Sequence, residues 1–224
     1  YGVVDIENNL EVSGTVDIEG AVTLDSTLEI GDSLIVLGSN ITHNGDSSNI
    51  NTNTGSYSIV SGKNNSNSGT YSDGSIIMGD TNTNYALNTI MVGLENNNGV
   101  KGNTTDAGKQ SIIGGKKNTN SGDCSILSGW NNTNSGDYSI LSGVNNSNNK
   151  GYSIISGQYN RNSNKWSFVT GFNNSNIYNG LSSQGCIIIG GHNNTNSGIN
   201  TIVSGKNNSN SGERSIIGGR FNIN

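Results

Sequence analysis

Two rhythms of apolar and polar residues divide this chain. Over residues 1–38 apolar pairs return every six positions, as Leu10/Val12, Val16/Ile18, Val22/Leu24, Leu28/Ile30 and Leu34/Val36. Members of a pair stand two residues apart, so each pair faces one side of a short strand. A monomeric hexapeptide β-helix uses about three hexads per coil, which leaves fewer than about two coils where a solenoid needs ~3 repeats. Three chains winding around one axis would instead share their apolar edges. The pattern therefore predicts a short intertwined β-prism shaft, with a small antiparallel meander as the alternative. Residues 39–54 read as a polar linker.

From residue 55 to residue 224 a different rhythm takes over. Glycine recurs at Gly62, Gly79, Gly93, Gly115, Gly129, Gly143, Gly157, Gly171, Gly191, Gly205 and Gly219, and seven of the ten intervals are 14 residues. A fixed period signifies stacked repeats. At ~3.3 Å per residue one circuit is roughly 46 Å, and two sheets ~10 Å apart use ~20 Å of it in the crossings. About four residues remain per strand, which suits a flat two-sheet coil. The predicted architecture is all-β: a parallel β-roll of about eleven coils built on a 14-residue repeat.

Four columns define the coil. Three residues before the glycine stands Ile or Phe, as Ile126, Ile140, Ile154, Phe168, Ile188 and Ile216; two before it comes a second apolar residue, as Leu127, Leu141, Ile155, Val169 and Ile217. Adjacent strand residues point to opposite faces. One column can fill the coil, and the other needs an apolar surface from elsewhere. That spare face predicts self-association about a symmetry axis; the alternative leaves it in solvent. Three and five residues after the glycine every coil carries asparagine, as Asn118/Asn120, Asn132/Asn134, Asn146/Asn148 and Asn194/Asn196. Identical amides in a parallel stack can donate to one neighbour and accept from the other, so ladders are expected.

These columns resemble the head domain of trimeric autotransporter adhesins. That family uses a Ser-Val/Ile-x-Ile/x-Gly strand followed by a small-residue strand; the matching stretches are Ser111-Ile112-Ile113-Gly114-Gly115 and Ser125-Ile126-Leu127-Ser128-Gly129. The likeness covers about residues 56–224. It implies a left-handed parallel β-roll, a homotrimer about a long axis, and adhesion to host surfaces. Asparagine stands here where that family favours alanine, and no coiled-coil stalk or membrane anchor is visible. The hexad stretch Leu10-Glu11-Val12-Ser13-Gly14-Thr15 is similar to phage or large-virus tail-fibre shafts, which are also trimeric.

Composition narrows the functions. Only 30% of residues are hydrophobic and proline is absent, yet the apolar residues are periodic, which argues against a disordered polar tract. Residues 1–62 hold nine acids and no Lys or Arg, while the remainder holds eleven bases and seven acids. The bases are dispersed, so no nucleic-acid partner is expected. No transmembrane stretch is visible. Cys124 and Cys186 lie four coils apart, roughly 19 Å at ~4.8 Å per coil, too far for an intrachain bridge. A chain opening on Tyr1 reads as a processed product or fragment.

Candidate chemistry is sparse. His43 and His192 have no neighbours at metal-ligand spacing, no calcium-binding Gly-Gly-x-Gly-x-Asp motif occurs, and no carboxylate pair recurs. No enzyme activity, metal or cofactor is expected. Tyr138, Tyr152 and Trp166 lie 14 residues apart and should stack on successive coils; Trp130 and Phe172 share another column, with Tyr159 nearby. These aromatics are candidates for contact with a host glycan or receptor, or they shield loop edges. Long intervals mark insertions near residues 70–74, 99–110 and 177–185, which can carry binding or be neutral elaborations. Sequons occur at Asn40, Asn64, Asn103, Asn131, Asn145, Asn173, Asn193 and Asn207; most follow from the Asn-Asn-Ser/Thr order of the repeat itself, and a glycosylation reading applies only in a eukaryotic secretory pathway. The expected function is a trimeric extracellular fibre or adhesin at a cell or virion surface. The alternatives are a purely structural shaft and, more remotely, an ice-binding solenoid.

Overall fold

A computed structural model describes residues 40–44, 50–69, 72–100, 107–177 and 187–224. The chain divides into two units, Tyr1–Ile35 and Val36–Asn224. The hexad region and its shaft reading lie outside the described residues.

The second unit is a parallel β-solenoid. Among the described residues, one sheet holds twelve strands and a second holds eleven, each in chain order. The long strands have up to six residues and the strands of the second sheet have two, as in Ile140–Val144 and Ser147–Asn148. Pairing is parallel and in register across coils: Ile126 pairs with Ile140, Leu127 with Leu141, Gly129 with Gly143 and Trp130 with Val144. The step of 14 residues thus brings each column into line.

The register decides which apolar column fills the coil. Val60, Ile77, Met91, Ile113, Leu127, Leu141, Ile155, Val169 and Val203 form a fully buried row, continued by Ile217. The adjacent column points outward: Ile126 is 43% exposed and Ile140 is 42% exposed, and Ile154, Phe168 and Ile216 are also exposed. Burying each inward residue contributes about 1.5–3 kcal/mol. The outward column contributes little in a single chain.

The other half of the interior is amide rather than hydrocarbon. Both asparagine columns are buried. Asn134 Nδ2 donates to Asn120 Oδ1 at 2.9 Å, and Asn134 Oδ1 accepts from Asn148 Nδ2 at 2.9 Å. Asn196 continues the same ladder through Asn176 Oδ1 at 3.1 Å. The other column closes the strand end. Asn132 Nδ2 meets Asn118 Oδ1 at 3.1 Å, Ser128 O at 2.8 Å and the carbonyl of Gly143 in the next coil at 2.9 Å. Asn146 and Asn194 reach Gly157 O and Gly205 O in the same way. Buried amides of this kind are tolerated because they are hydrogen-bonded.

A further column carries weight that its bare recurrence in the sequence did not reveal. Four residues before the glycine, Ser111, Ser125, Ser139 and Ser153 are buried. Their hydroxyls accept from the second asparagine of the same coil, as Asn134 Nδ2 to Ser125 Oγ at 3.1 Å.

Two expectations change. Residues 39–54, read as a linker, contain strands Asn40–Asn44 and Thr52–Asn53 that extend both sheets. Asn40–Asn44 pairs with Ser58–Lys63, and Asn51 and Asn53 open the two asparagine ladders. Asn44 aligns with Gly62, so the glycine clock missed this coil. In the second change, Ile187 rather than Ile188 aligns with Ile202, and Ile188 aligns with Val203. A register shift between Ile188 and Gly191 absorbs one extra residue, the signature of a bulge.

Candidate ligand-binding surface

Each coil turns through left-handed corners. Five residues before the glycine the backbone has positive φ at Cys124, Tyr138, Tyr152 and Trp166; two after it the same holds for Asn131, Asn145, Tyr159 and Asn173. A side chain other than Gly, Asn or Asp costs about 1–2 kcal/mol there. Hydrogen bonds to a neighbouring coil secure the corner, as Tyr138 N to Asp123 O and Tyr152 N to Asp137 O, both at 2.8 Å. Aromatic residues at these corners are exposed.

Tyr138, Tyr152 and Trp166 form a continuous stack. The Tyr138 and Tyr152 centroids lie 5.1 Å apart with planes 13° from parallel; Tyr152 and Trp166 lie 6.0 Å apart at 25°. Contacting carbons sit ~3.5–4.0 Å apart, so the rings are slipped like overlapping tiles. Each ring covers part of its neighbour, so little room remains for a sugar to lie flat on Tyr152. Tyr152→Asn keeps a residue suited to the left-handed corner and removes both stacks. We expect a loss of about 1–2 kcal/mol and a reduced near-ultraviolet circular dichroism signal. An unchanged signal would show that the stack does not persist in solution.

The remaining aromatics lie at the opposite end of the long strand. Tyr159 meets Phe172 edge to face at 5.8 Å and 82°, and Phe172 meets His192 at 5.8 Å and 58°. Trp130 belongs to the same edge, aligned with Lys116 and Val144, but is three coils from Phe172, roughly 14 Å at the strand spacing. The six candidates therefore occupy two edges separated by about 20 Å of strand. His192, read from sequence as an isolated histidine, joins the second group. Its position immediately after Gly191 carried that signal.

Asn131 and Asn145 link through their side chains at 2.6 Å, and Asn173 and Asn193 at 2.9 Å, so the sequon corner makes its own exposed ladder. Cys124 is a free thiol whose Sγ faces Gln110 Oε1 at 3.3 Å; Cys186 lies outside the described residues. Of the insertions, residues 70–71, 101–106 and 178–185 fall outside them too. Asp123 and Asp137 are spent on turns: Asp123 Oδ1 accepts from Gly108 N and Asp137 Oδ1 from Asp123 N, both at 2.9 Å. Among the described residues no group of three or more His, Cys, Asp or Glu side chains could hold a metal ion, and no helix is long and apolar enough to cross a membrane. No protein-family model matches the chain, and no curated protein matches it.

Proposed function

We propose that this chain is a segment of a homotrimeric extracellular fibre that attaches a cell or virion to a host surface through glycans or a receptor. The observation that carries this reading is the outward Ile/Phe column. Ile126, Ile140, Ile154 and Phe168 line one face of a solenoid whose other outward positions are mostly polar. A contiguous apolar stripe on a repeat protein is suited to meeting its own copies about an axis. In this reading the roll is left-handed, the three stripes meet at the trimer axis, and the hexad region forms the intertwined shaft.

Light scattering on a size-exclusion column tests the assembly, with a native mass of three chains expected. Replacing Ile126, Ile140 and Ile154 together by aspartate should yield single chains that keep the far-ultraviolet β signal. A wild-type monomer would overturn the trimer. Attachment itself is tested by binding of the intact chain to glycan arrays and host-cell surfaces.

A purely structural shaft is the second reading. The slipped stack of Tyr138, Tyr152 and Trp166 favours it, since those rings already satisfy one another. The ice-binding alternative needs a regular hydroxyl lattice, which Asn97 and Arg161 interrupt on the second sheet.

A further inference from the structure

Charge along the edge just past the reference glycines changes character from one end of the solenoid to the other. Toward the N-terminal coils acids are interspersed on this edge: Lys63 aligns with Asp80, Lys117 pairs with Glu95 at 3.3 Å, and Lys116 stands alone between Leu94 and Trp130. In the last coils the same column reads Phe172, His192, Lys206, Arg220. Parallel register places His192 beside Lys206, Lys206 beside Arg220 and Phe172 beside His192. All four side chains are exposed.

Nothing in the nearby sequence neutralises this row. Residues 138–224 contain six Lys or Arg and one acid, Glu213. Glu213 stands six residues before Gly219, beyond the far end of the long strand. Like charges on adjacent rungs are destabilising, and the spacing of ~4.8 Å between coils holds Lys206 and Arg220 close. A bound polyanion would relieve that repulsion.

We infer that this edge binds an acidic polysaccharide, with carboxylate or sulfate groups on Lys206 and Arg220 and the chain running along the coil axis. The inference rests on the attachment reading and names its ligand class. The flanking asparagine corners offer amides for sugar hydroxyls. Nucleobases are poorly suited, because Tyr159 and His192 already crowd the Phe172 ring. The planar guanidinium of arginine suits bidentate recognition of a carboxylate or sulfate group.

The test uses the full chain on surfaces carrying heparin, polysialic acid or hyaluronate, with dextran as the neutral control. Wild type should bind at least one acidic polymer, weakening with salt, and K206Q/R220Q should weaken that binding at least tenfold. K63Q/K117Q removes equal charge from the N-terminal end of the same edge, where acids are interspersed, and should change it less than twofold. Equal losses in both variants would show diffuse charge and overturn the inference. Binding to neutral glycans that is insensitive to K206Q/R220Q would overturn it while leaving attachment intact. No binding to any glycan array or host surface would remove the attachment reading as well. Salt-reversible self-association that K206Q/R220Q abolishes, without binding to the acidic polymers, would assign the column to the acid-only region of a second copy and overturn the polysaccharide site.

Discussion

Gly115→Ala is expected to destabilise the solenoid by about 3 kcal/mol or more, whereas Gly114→Ala, one residue away, should be nearly neutral. Gly115 has φ of +96°, and a Cβ there would overlap the carbonyl oxygen of Gly129 in the next coil. The backbone penalty is about 1–2 kcal/mol and the overpacking penalty about 1–3 kcal/mol. Neither is easily relieved, because the obstructing atom is backbone held by the parallel register. Gly114 has ordinary φ, and its nearest neighbour would be Val92 O at 4.0 Å. Thermal and urea unfolding of both variants, followed by far-ultraviolet circular dichroism, gives the comparison. Equal effects would mean that the recurring glycine is not required by close approach of the coils. Because repeats are coupled mainly to their neighbours, the loss should centre on the coils around Gly115, which hydrogen exchange can locate.

Asn134→Asp is expected to be at least as damaging. The Asn134 amide donates to Asn120 Oδ1, Ser125 Oγ and Gly136 O, the last at 2.8 Å. Aspartate would turn that donor into a negative charge facing acceptors in a buried position. Each orphaned buried partner costs about 1–3 kcal/mol, and the buried charge adds to this. Burial and the facing oxygens raise the folded-state pKa of the new carboxyl above its unfolded value. The folded variant therefore binds more protons, and its stability falls as pH rises from the unfolded pKa to the folded one. The deficit should be smallest in acid and fully developed above the folded pKa. Asn134→Leu has similar size and no charge, so its deficit should not follow that pH course. Urea titrations of both variants across pH separate the two effects. An aspartate variant as stable as wild type at neutral pH would rule out a buried, hydrogen-bonded ladder at this position.

Much of the solenoid was legible because its period is set by backbone pairing. A coil must return to the same register, so Gly129, Ile126, Leu127, Asn132 and Asn134 each recur in line with their counterparts. The two apolar columns could be assigned to opposite faces from strand alternation alone. The sequence could not say which of them turned inward, since Ile126 and Leu127 have nearly equal hydrophobicity. The direction of coil closure decided it, burying Leu127 and exposing Ile126. The coil around Asn40–Asn44 and Thr52–Asn53 was hidden because its reference position holds Asn44 and its length departs from the period.

The candidate surface divides along the same line. That Tyr138, Tyr152 and Trp166 share a column followed from their spacing, because identical coil positions must superpose along the axis. That their rings slip over one another, that Tyr159 and Phe172 belong to a different edge, and that His192 packs against Phe172 were decided by three-dimensional geometry. Corner backbone angles and the orientation of neighbouring rings leave no periodic trace in a one-dimensional sequence. The chain by itself determined a stacked, amide-laddered β architecture, because hydrogen-bond register and strand alternation are periodic constraints. Only the tertiary structure decided which apolar face remains open and which side chains meet, because those depend on how each coil closes.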